Sequence, residues 1–420
     1  MKSRIGDDAM ADVYTGIDLG TDSIKIVVCE KIKDKYHVLA SQTVPSFGIK
    51  DGYITDMKSA TNSVKSAVKA VNEQLGMQIH KVIASIPPQN CQMDIVSGKT
   101  TIMDYNDITG LDVSNVLLDS IKEVDLSQDE LVTAMPIHFT IDDETAVKDP
   151  KGLKGSTLSA RVVVSTTPKE ELYKILEVLR NAGLETIDIC FSSFGDYYAL
   201  DDKKYDELVG AIINIGEEST NISIFNRGIQ IKNGVIPVGS KNVDKDITYA
   251  FKTKISDSRQ LKENFAVALS TLADGNDEET IKIEKNETKE VSQVSVSKVV
   301  EARIKEILKL AKNEIKNLTN REIRYIMISG GLSEMTGFSN LVEREFGFVA
   351  NVMNIPNMGI RHNKYSSCYG VIRYFNEKLA LRGKEYEMFS KEEIEDFLAM
   401  SSENAEESIL ARKIKNPIDD

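Results

Sequence analysis

The sequence predicts an α/β protein of two related βββαβα halves, with a small α+β unit inserted in the first. Three observations predict it. Three strand signals, a helix and a further strand follow one another over residues 13–86. A similar order recurs after residue 209, and residues 87–164 between them carry a different pattern.

VYTGIDL (13–19) is an apolar run, LGTDS is a turn, SIKIVVCEK (23–31) alternates, and YHVLASQTV (36–44) follows the polar KIKDK. Residues 56–75 place Val64, Ala67, Val68, Val71 and Leu75 at helical spacing, and KVIASI (81–86) is a short buried strand stopped by Pro87-Pro88. In the insertion, MDIVSGKTTIM, LVTAMPIHFTI and TLSARVVVS read as strands and NVLLDSIKEV (115–124) as a helix. Residues 168–182 form a helix with Pro168 near its first turn and Gly183 past its end. In the second half, VGAIINI, NISIFN and IQIKNGVIPV are strands, followed by helical patterns through Phe251 and Leu272. Residues 273–293, rich in Asp, Glu, Asn and Lys, read as a solvated loop. A long helix over 297–318 presents Val300, Ile304, Ile307, Leu308, Ala311 and Ile315 on one face, and RYIMISGG is a later strand.

With 52 Lys and Arg against 65 Asp and Glu, the 420-residue chain carries a formal charge of −13. Its 41% hydrophobic and 28% charged residues are ordinary for a folded protein of two to four units. Phosphate backbones need clustered cations, so an acidic chain with no basic block excludes nucleic acid as the main partner. No stretch approaches the ~18 apolar residues that span a bilayer, and MKSRIGDDAMAD has no apolar run of a signal peptide. Cys29, Cys91, Cys190 and Cys368 lie far apart, as free thiols in a reducing cytosol do. His37, His80, His138 and His362 lack metal-ligand spacing, and no G-x-S-x-G elbow or Cys/His nucleophile pattern appears.

The first segment with chemical content is GIDLGTDSIK (16–25). Gly20 permits a tight turn that brings backbone N–H groups against a phosphate; Thr21, Asp22 and Ser23 add small polar groups. Asp18, at a strand end, can hold the waters of a Mg²⁺ ion. An ordinary hairpin turn reads the same way when it stands alone. ISGGLS (328–333) ends an apolar strand, and Gly330-Gly331 allow close approach of a ligand such as a nucleotide, or a plain strand-to-helix turn. Both motifs at matching places in two similar halves favour the phosphate reading.

A DxGT hairpin, an inserted unit, a second hairpin and a late GG loop together resemble the actin-like ATPase superfamily, and within it the FtsA family. The resemblance runs from about Tyr14 to Phe375 and is carried by GIDLGTDSIKIVV, VIASIPPQNCQMDIVSGKTTI, PVGSKNVDKDITYAF, VVEARIKEIL, ISGGLSEMTGFSNL and PNMGIRHNKYSSCYGVIRYF. It implies an actin-like fold around a nucleotide cleft. Residues 1–12 would be a disordered extension, 13–86 plus 165–205 subdomain 1A, and 87–164 the inserted 1C. Residues 206–240 plus 311–380 would be 2A, 241–310 would be 2B, and 381–420 an acidic tail. It implies ATP and Mg²⁺ as ligands, with Asp18, Gly20, Thr21, Asp22 and Ser23 in the first phosphate loop and Asp18 holding Mg²⁺ through water. Gly216, Ser219 and Thr220 belong to the second loop, Gly330, Gly331 and Ser333 to the adenosine loop. Lys262, with Glu263 beside it, resembles the lysine that reaches the nucleoside; a solvent-facing helix lysine is the other reading.

Two departures stand out. Where the superfamily has DxGGGT, this chain reads Asn214-Ile215-Gly216-Glu217-Glu218-Ser219-Thr220. Asn214 lacks the charge that orients an attacking water. Glu217 and Glu218 add Cβ atoms where positive φ is often needed and bring anions towards a phosphate tail. Weak or absent hydrolysis is the consequence, and Asn214→Asp with Glu217→Gly and Glu218→Gly is expected to raise affinity. At the C-terminus, residues 384–420 carry 11 acids and 5 bases, against the basic amphipathic anchor the resemblance implies. Ser390 and Glu393 form a capping box, and ESILARKIK (407–415) is the one short anchor candidate; a solvated tail is expected, with the anchor vestigial, missing or supplied by a partner.

The resemblance also places Arg303, with Lys298 nearby, against the acidic C-terminal tail of FtsZ; an intrahelical pair with Glu306 is the competing reading. The 87–164 unit would touch the next subunit of a filament. The function implied is a divisome scaffold that binds ATP, polymerises, and links FtsZ filaments to the membrane and to later division proteins during septation. Its place would be peripheral, on the cytoplasmic side of the membrane at the septum, or the cytoplasm without an anchor. Alternatives are an actin-like adaptor of another machine (PilM-like) and an ATP-hydrolysing enzyme of the same fold, such as a sugar kinase or chaperone ATPase.

Overall fold

The computed structural model describes residues 12–283, 287–357, 359–360, 362–389 and 393. In the first half, β1 (Asp12–Leu19), β2 (Ser23–Ile32) and β3 (Lys35–Pro45) form an antiparallel meander. A hairpin of β4 (Ile49–Lys50) and β5 (Tyr53–Ile54) leads into α1 (Met57–Leu75). That helix starts where the Asp56 carboxylate accepts from the N–H groups of Lys58 and Ser59. β6 (Lys81–Ile86) then pairs parallel with β1.

The insertion comprises β7 (Gln92–Thr101), α2 (Gly110–Ser120), β8 (Asp129–Ile141), β9 (Thr145–Val147) and β10 (Thr157–Pro168), with sheet order β7-β10-β8-β9. Its own small core holds Val113, Val116, Phe139 and Leu158. α2 begins earlier than the apolar run at 115–124 indicated, because Thr109 and Asp112 close a capping box. After it come α3 (Lys169–Asn181), β11 (Glu185–Phe191) parallel to β6, and α4 (Ser192–Tyr198).

The second half repeats the plan. β12 (Val209–Ile215), β13 (Thr220–Asn226) and β14 (Ile229–Ile236) form the meander, followed by α5 (Ser240–Phe251) and α6 (Ile255–Gln260), which runs into a π turn over Leu261–Phe265. β15 (Glu278–Lys282) and β16 (Thr288–Ser292) precede α7 (Gln293–Leu318), β17 (Tyr325–Ser329), α8 (Phe338–Phe346), β18 (Ala350–Val352) and α9 (Ser366–Leu381). The two five-stranded sheets run β3-β2-β1-β6-β11 and β14-β13-β12-β17-β18. Both are antiparallel at the first two pairings and parallel at the last two, so the duplicated plan holds strand by strand.

Three expectations are corrected. Residues 273–293 are not a loop throughout: β15 and β16 pair, and each sends one apolar residue, Ile281 and Val291, into the second core. One apolar residue per strand amid charges leaves no visible alternation. The helical pattern drawn through Leu272 stops at Phe265 and resumes only as a 3₁₀ turn over Ser270–Leu272, while α5 ends at Phe251 as expected. Residues 366–380, assigned to the second half, pack in the first: Cys368, Tyr369, Val371, Ile372, Tyr374 and Phe375 join the core of β1, β2 and β6. α9 and α4 cross between the sheets with backbones in contact, because a Cβ at Gly370 would overlap the Gly195 carbonyl.

Beyond α9 the chain folds back onto the first half. The Tyr14 hydroxyl donates to the Tyr386 carbonyl at 3.0 Å, the Thr15 N–H donates to Met388 Sδ at 3.3 Å, and Met388 and Phe389 are buried. The opening of the acidic tail is therefore docked, not solvated. Ser390 of the expected capping box, the 407–415 anchor candidate and the extension over 1–11 lie outside the described residues.

Candidate functional site

A cleft of about 670 Å³ opens between the halves at the carboxyl ends of β1, β6, β12 and β17. Two equivalent turns face it. The Gly20 N–H donates to the Ser23 carbonyl at 3.1 Å, and the Gly216 N–H donates to the Ser219 carbonyl at 2.9 Å. The residues flanking the turns correspond as well: Asp18 pairs across its hairpin with Lys25, Asn214 with Asn221. The first turn thus keeps an acid and a base where the second has two amides. Lys25 Nζ lies 2.9 Å from the Asp18 carboxylate; burial alone would lower the Lys25 pKa, but Asp18 raises it.

The second turn is not strained. Neither Glu217 nor Glu218 has positive φ, so the expectation that they need glycine geometry fails. Their charges are also engaged. Glu217 accepts from Ser240 Oγ at 3.0 Å and lies 3.4 Å from Arg259; burial raises its pKa, and Arg259 opposes that. Glu218 meets Lys241 Nζ at 2.7 Å and accepts the Asp51 N–H at 3.0 Å; despite partial burial these hold it below the usual range. Arg259 of α6 also pairs with Asp22 of the first turn and with Glu263 at 3.1 Å. Its guanidinium therefore bridges the two turns.

Lys262 is not a solvent-facing lysine. It is 5% exposed, lines the cleft, and pairs with buried Asp244 at 2.8 Å. Gly330 sits at φ 100°, where a Cβ would overlap the Ile215 carbonyl, whereas a Cβ at Gly331 would meet nothing within 4 Å. Asp18, Gly20, Thr21, Asp22, Gly216, Ser219, Lys262, Gly330 and Gly331 all line the cleft. Ser23, Thr220 and Ser333 are buried beside it: Thr220 Oγ1 donates to the Val238 carbonyl at 2.7 Å, and Ser333 Oγ to the Gly330 carbonyl at 2.7 Å. The Thr220 and Ser333 hydroxyls thereby tie their own loops down.

Lys25 and Arg259 are cleft residues that motif reading missed. Lys25 was open to detection, because a hairpin closed by Gly20 and Ser23 pairs residue 25 with residue 18. Arg259 carries no such local signal. Away from the cleft on α7, Arg303 binds Asp246 at 2.6 and 2.8 Å and Glu306 at 2.6 Å, so the intrahelical pair exists alongside a second carboxylate. Lys298 is exposed on the same helix.

The lining suits a nucleoside polyphosphate. Two turns offer backbone N–H groups, Lys25, Arg259 and Lys262 supply positive charge, and open space beside Gly331 leaves room for a flat base. Among the described residues no group of three or more His, Cys, Asp or Glu could hold a metal alone. Mg²⁺ retains its waters and needs only one or two carboxylates beside phosphate oxygens, which Asp18 satisfies.

Behind the second turn, Asp196 of α4 is 1% exposed and accepts from Asn214 Nδ2 at 2.7 Å, Ser367 Oγ at 2.9 Å and Ser366 Oγ. Burial raises its pKa from 3.8 to about 6. An acid raised on folding stabilises the fold fully below its unfolded value and loses that contribution as pH rises through about 6. Two units correspond to about 3 kcal/mol. Wild type is therefore expected to lose about that much relative to Asp196→Asn between about pH 4 and about pH 8, by chemical denaturation of both. Equal pH slopes for the two proteins would refute the assignment.

Residues 211–370 match the family described as cell division protein FtsA, and residues 89–166 match the SHS2 domain inserted in FtsA. The chain is 24% identical over 396 residues to the cell division protein FtsA of Bacillus subtilis, covering 93% of this chain and 90% of that protein. It is 28% identical over 273 residues to the protein of the same name from Streptococcus pneumoniae, covering 64% of this chain and 59% of that protein. Similar solved structures include a PilM–PilN type IV pilus biogenesis complex, with TM-score 0.59 and 13% identity over 86% of this chain and 98% of that one. MreB5 of Spiroplasma citri bound to ADP has TM-score 0.52 and 12% identity over 89% and 98%. At such identities these structures establish the actin-like fold and nothing finer.

Proposed function

The chain belongs to the FtsA family of actin-like cell-division proteins, and from that premise we propose that it is a divisome scaffold that binds ATP in the cleft with little or no hydrolysis. The observation that carries the nucleotide reading is the pair of matched turns, Gly20–Ser23 and Gly216–Ser219, facing one cleft that Lys25, Arg259 and Lys262 also line. Lys25, Arg259 and the turn N–H groups would hold phosphates, Lys262 and the Gly330–Gly331 loop the nucleoside. Mg²⁺, held through water by Asp18, would supply charge neutralisation at the phosphates. Weak turnover is expected from Asn214: an amide accepts a hydrogen bond from water but takes no proton from it.

The protein would polymerise and link FtsZ filaments to the cytoplasmic membrane and to later division proteins during septation. The inserted unit exposes Ile95, Met103, Tyr105, Leu111 and Leu118, which supports a subunit contact there. Among the described residues no helix is long and apolar enough to cross a membrane, so membrane contact would be peripheral. An acidic FtsZ tail would reach exposed Lys298 directly but must displace Asp246 and Glu306 from Arg303. Co-sedimentation with FtsZ filaments is accordingly expected to weaken in Lys298→Glu, and an unchanged pellet would remove this surface from the reading.

Calorimetric titration with Mg·ATP, paired with a phosphate-release assay, tests the core of the proposal. Micromolar binding without release is expected. No binding up to millimolar ATP would overturn the nucleotide role, and steady turnover would replace the scaffold by an ATPase.

A further inference from the structure

Asp196 is an ionisable group beside the cleft that the proposed chemistry leaves unused. Its carboxylate is buried, no Lys or Arg of the described residues is among its hydrogen-bond donors, and it accepts from Asn214 Nδ2, Ser366 Oγ and Ser367 Oγ. A buried carboxylate is costly unless its environment compensates. Here three donors do so, together with the amino end of α9, on which both serines sit. Glu217 and Glu218 by contrast are turn residues whose charges are met by Arg259 and Lys241.

Resting on the nucleotide reading of the cleft, the geometry points to Asp196 as the positioning residue that fixes Asn214 with its amide nitrogen in the core and its carbonyl oxygen towards the ligand. The carboxylate can only accept, so it selects the NH₂ end of Asn214 at 2.7 Å and leaves Oδ1 on the cleft side. The two residues form a matched pair. A negative charge at 196 excludes one at 214, because two carboxylates at hydrogen-bond distance cannot both ionise without a large penalty. The acid has in effect been moved from the cleft wall to the layer behind it. The expectation that Asn214→Asp with Glu217→Gly and Glu218→Gly raises affinity is therefore revised: residue 196 must change with residue 214.

The test compares wild type, Asp196→Asn, Asn214→Asp and the swapped double variant. Asn214→Asp is expected to melt lower at about pH 8 than at about pH 6, because the paired carboxyls share a proton. The double variant should lose that pH dependence and, of the four, release phosphate fastest. Asp196→Asn should keep the fold yet bind Mg·ATP about tenfold more weakly, the usual loss when an outer-shell partner no longer orients a ligand-facing group. Asn214→Asp melting alike at both pH values would overturn the contact. Unchanged Mg·ATP affinity in Asp196→Asn would overturn the positioning role. Failure of wild type to bind ATP would instead defeat the nucleotide reading itself, with the melting arm still deciding the Asp196–Asn214 pairing.

Discussion

Gly370→Val is expected to unfold the protein or cost more than about 4 kcal/mol, in the exceptional range for one substitution. Gly370 lies where α9 crosses α4, and even a single Cβ there would overlap the Gly195 carbonyl oxygen and crowd the Ala199 nitrogen. Gly195 is crowded in turn, since a Cβ on it would overlap the Ser367 carbonyl. Backbone on both sides leaves nothing flexible to yield, so the helices must separate and expose the aromatic layer of Phe194, Tyr198 and Tyr374. Urea denaturation measures the loss. Gly275→Ala, where a Cβ meets nothing within 4 Å, is the control and should stay within about 0.5 kcal/mol. Wild-type stability in Gly370→Val would mean that the two helices do not cross in contact.

Arg259→Glu is expected to weaken Mg·ATP binding at least 100-fold, about 2.7 kcal/mol. Arg259 meets Asp22, Glu217 and Glu263, so charge reversal leaves four carboxylates grouped at the phosphate end of the cleft. Each anion held about 4 Å from a phosphate charge costs on the order of 1–4 kcal/mol between the bulk-water and near-surface limits. Arg259→Lys keeps the charge but not the planar fork and should fall between the two. Titration calorimetry of the three proteins separates these outcomes. An affinity for Arg259→Glu within threefold of wild type would remove Arg259 from phosphate binding.

Both halves and both glycine loops were legible in the sequence because turn chemistry is local: Gly20 and Gly330 each stand directly after an apolar strand, and strand alternation marks the rest. The features that were not legible depend on partners distant in sequence. Arg259 gains its meaning from Asp22, 237 residues away, and Asp196 from Ser366, 170 residues away. α9 looked like part of the second half because it comes after β18, yet its apolar face matches the first sheet. The β15–β16 hairpin escaped because Ile281 and Val291 are single apolar residues amid charge, and the start of α2 because its capping box uses Asp112 where Glu or Gln is usual.

The segment that folds back after α9 also sets a load path. Within it, Tyr386 and Met388 grip Tyr14 and Thr15 on β1, the middle strand of the first sheet, while a Cβ at Gly110 of the inserted unit would overlap the carbonyl of Arg382. Tension applied to the chain beyond residue 389 therefore enters the first half and the inserted unit, and reaches the second half through α4 and α9 and through links such as Arg259–Asp22 and Glu218–Asp51. A pull at this end is thus shared between β1 and the inserted unit before it meets the Arg259 contacts that tie the two turns together.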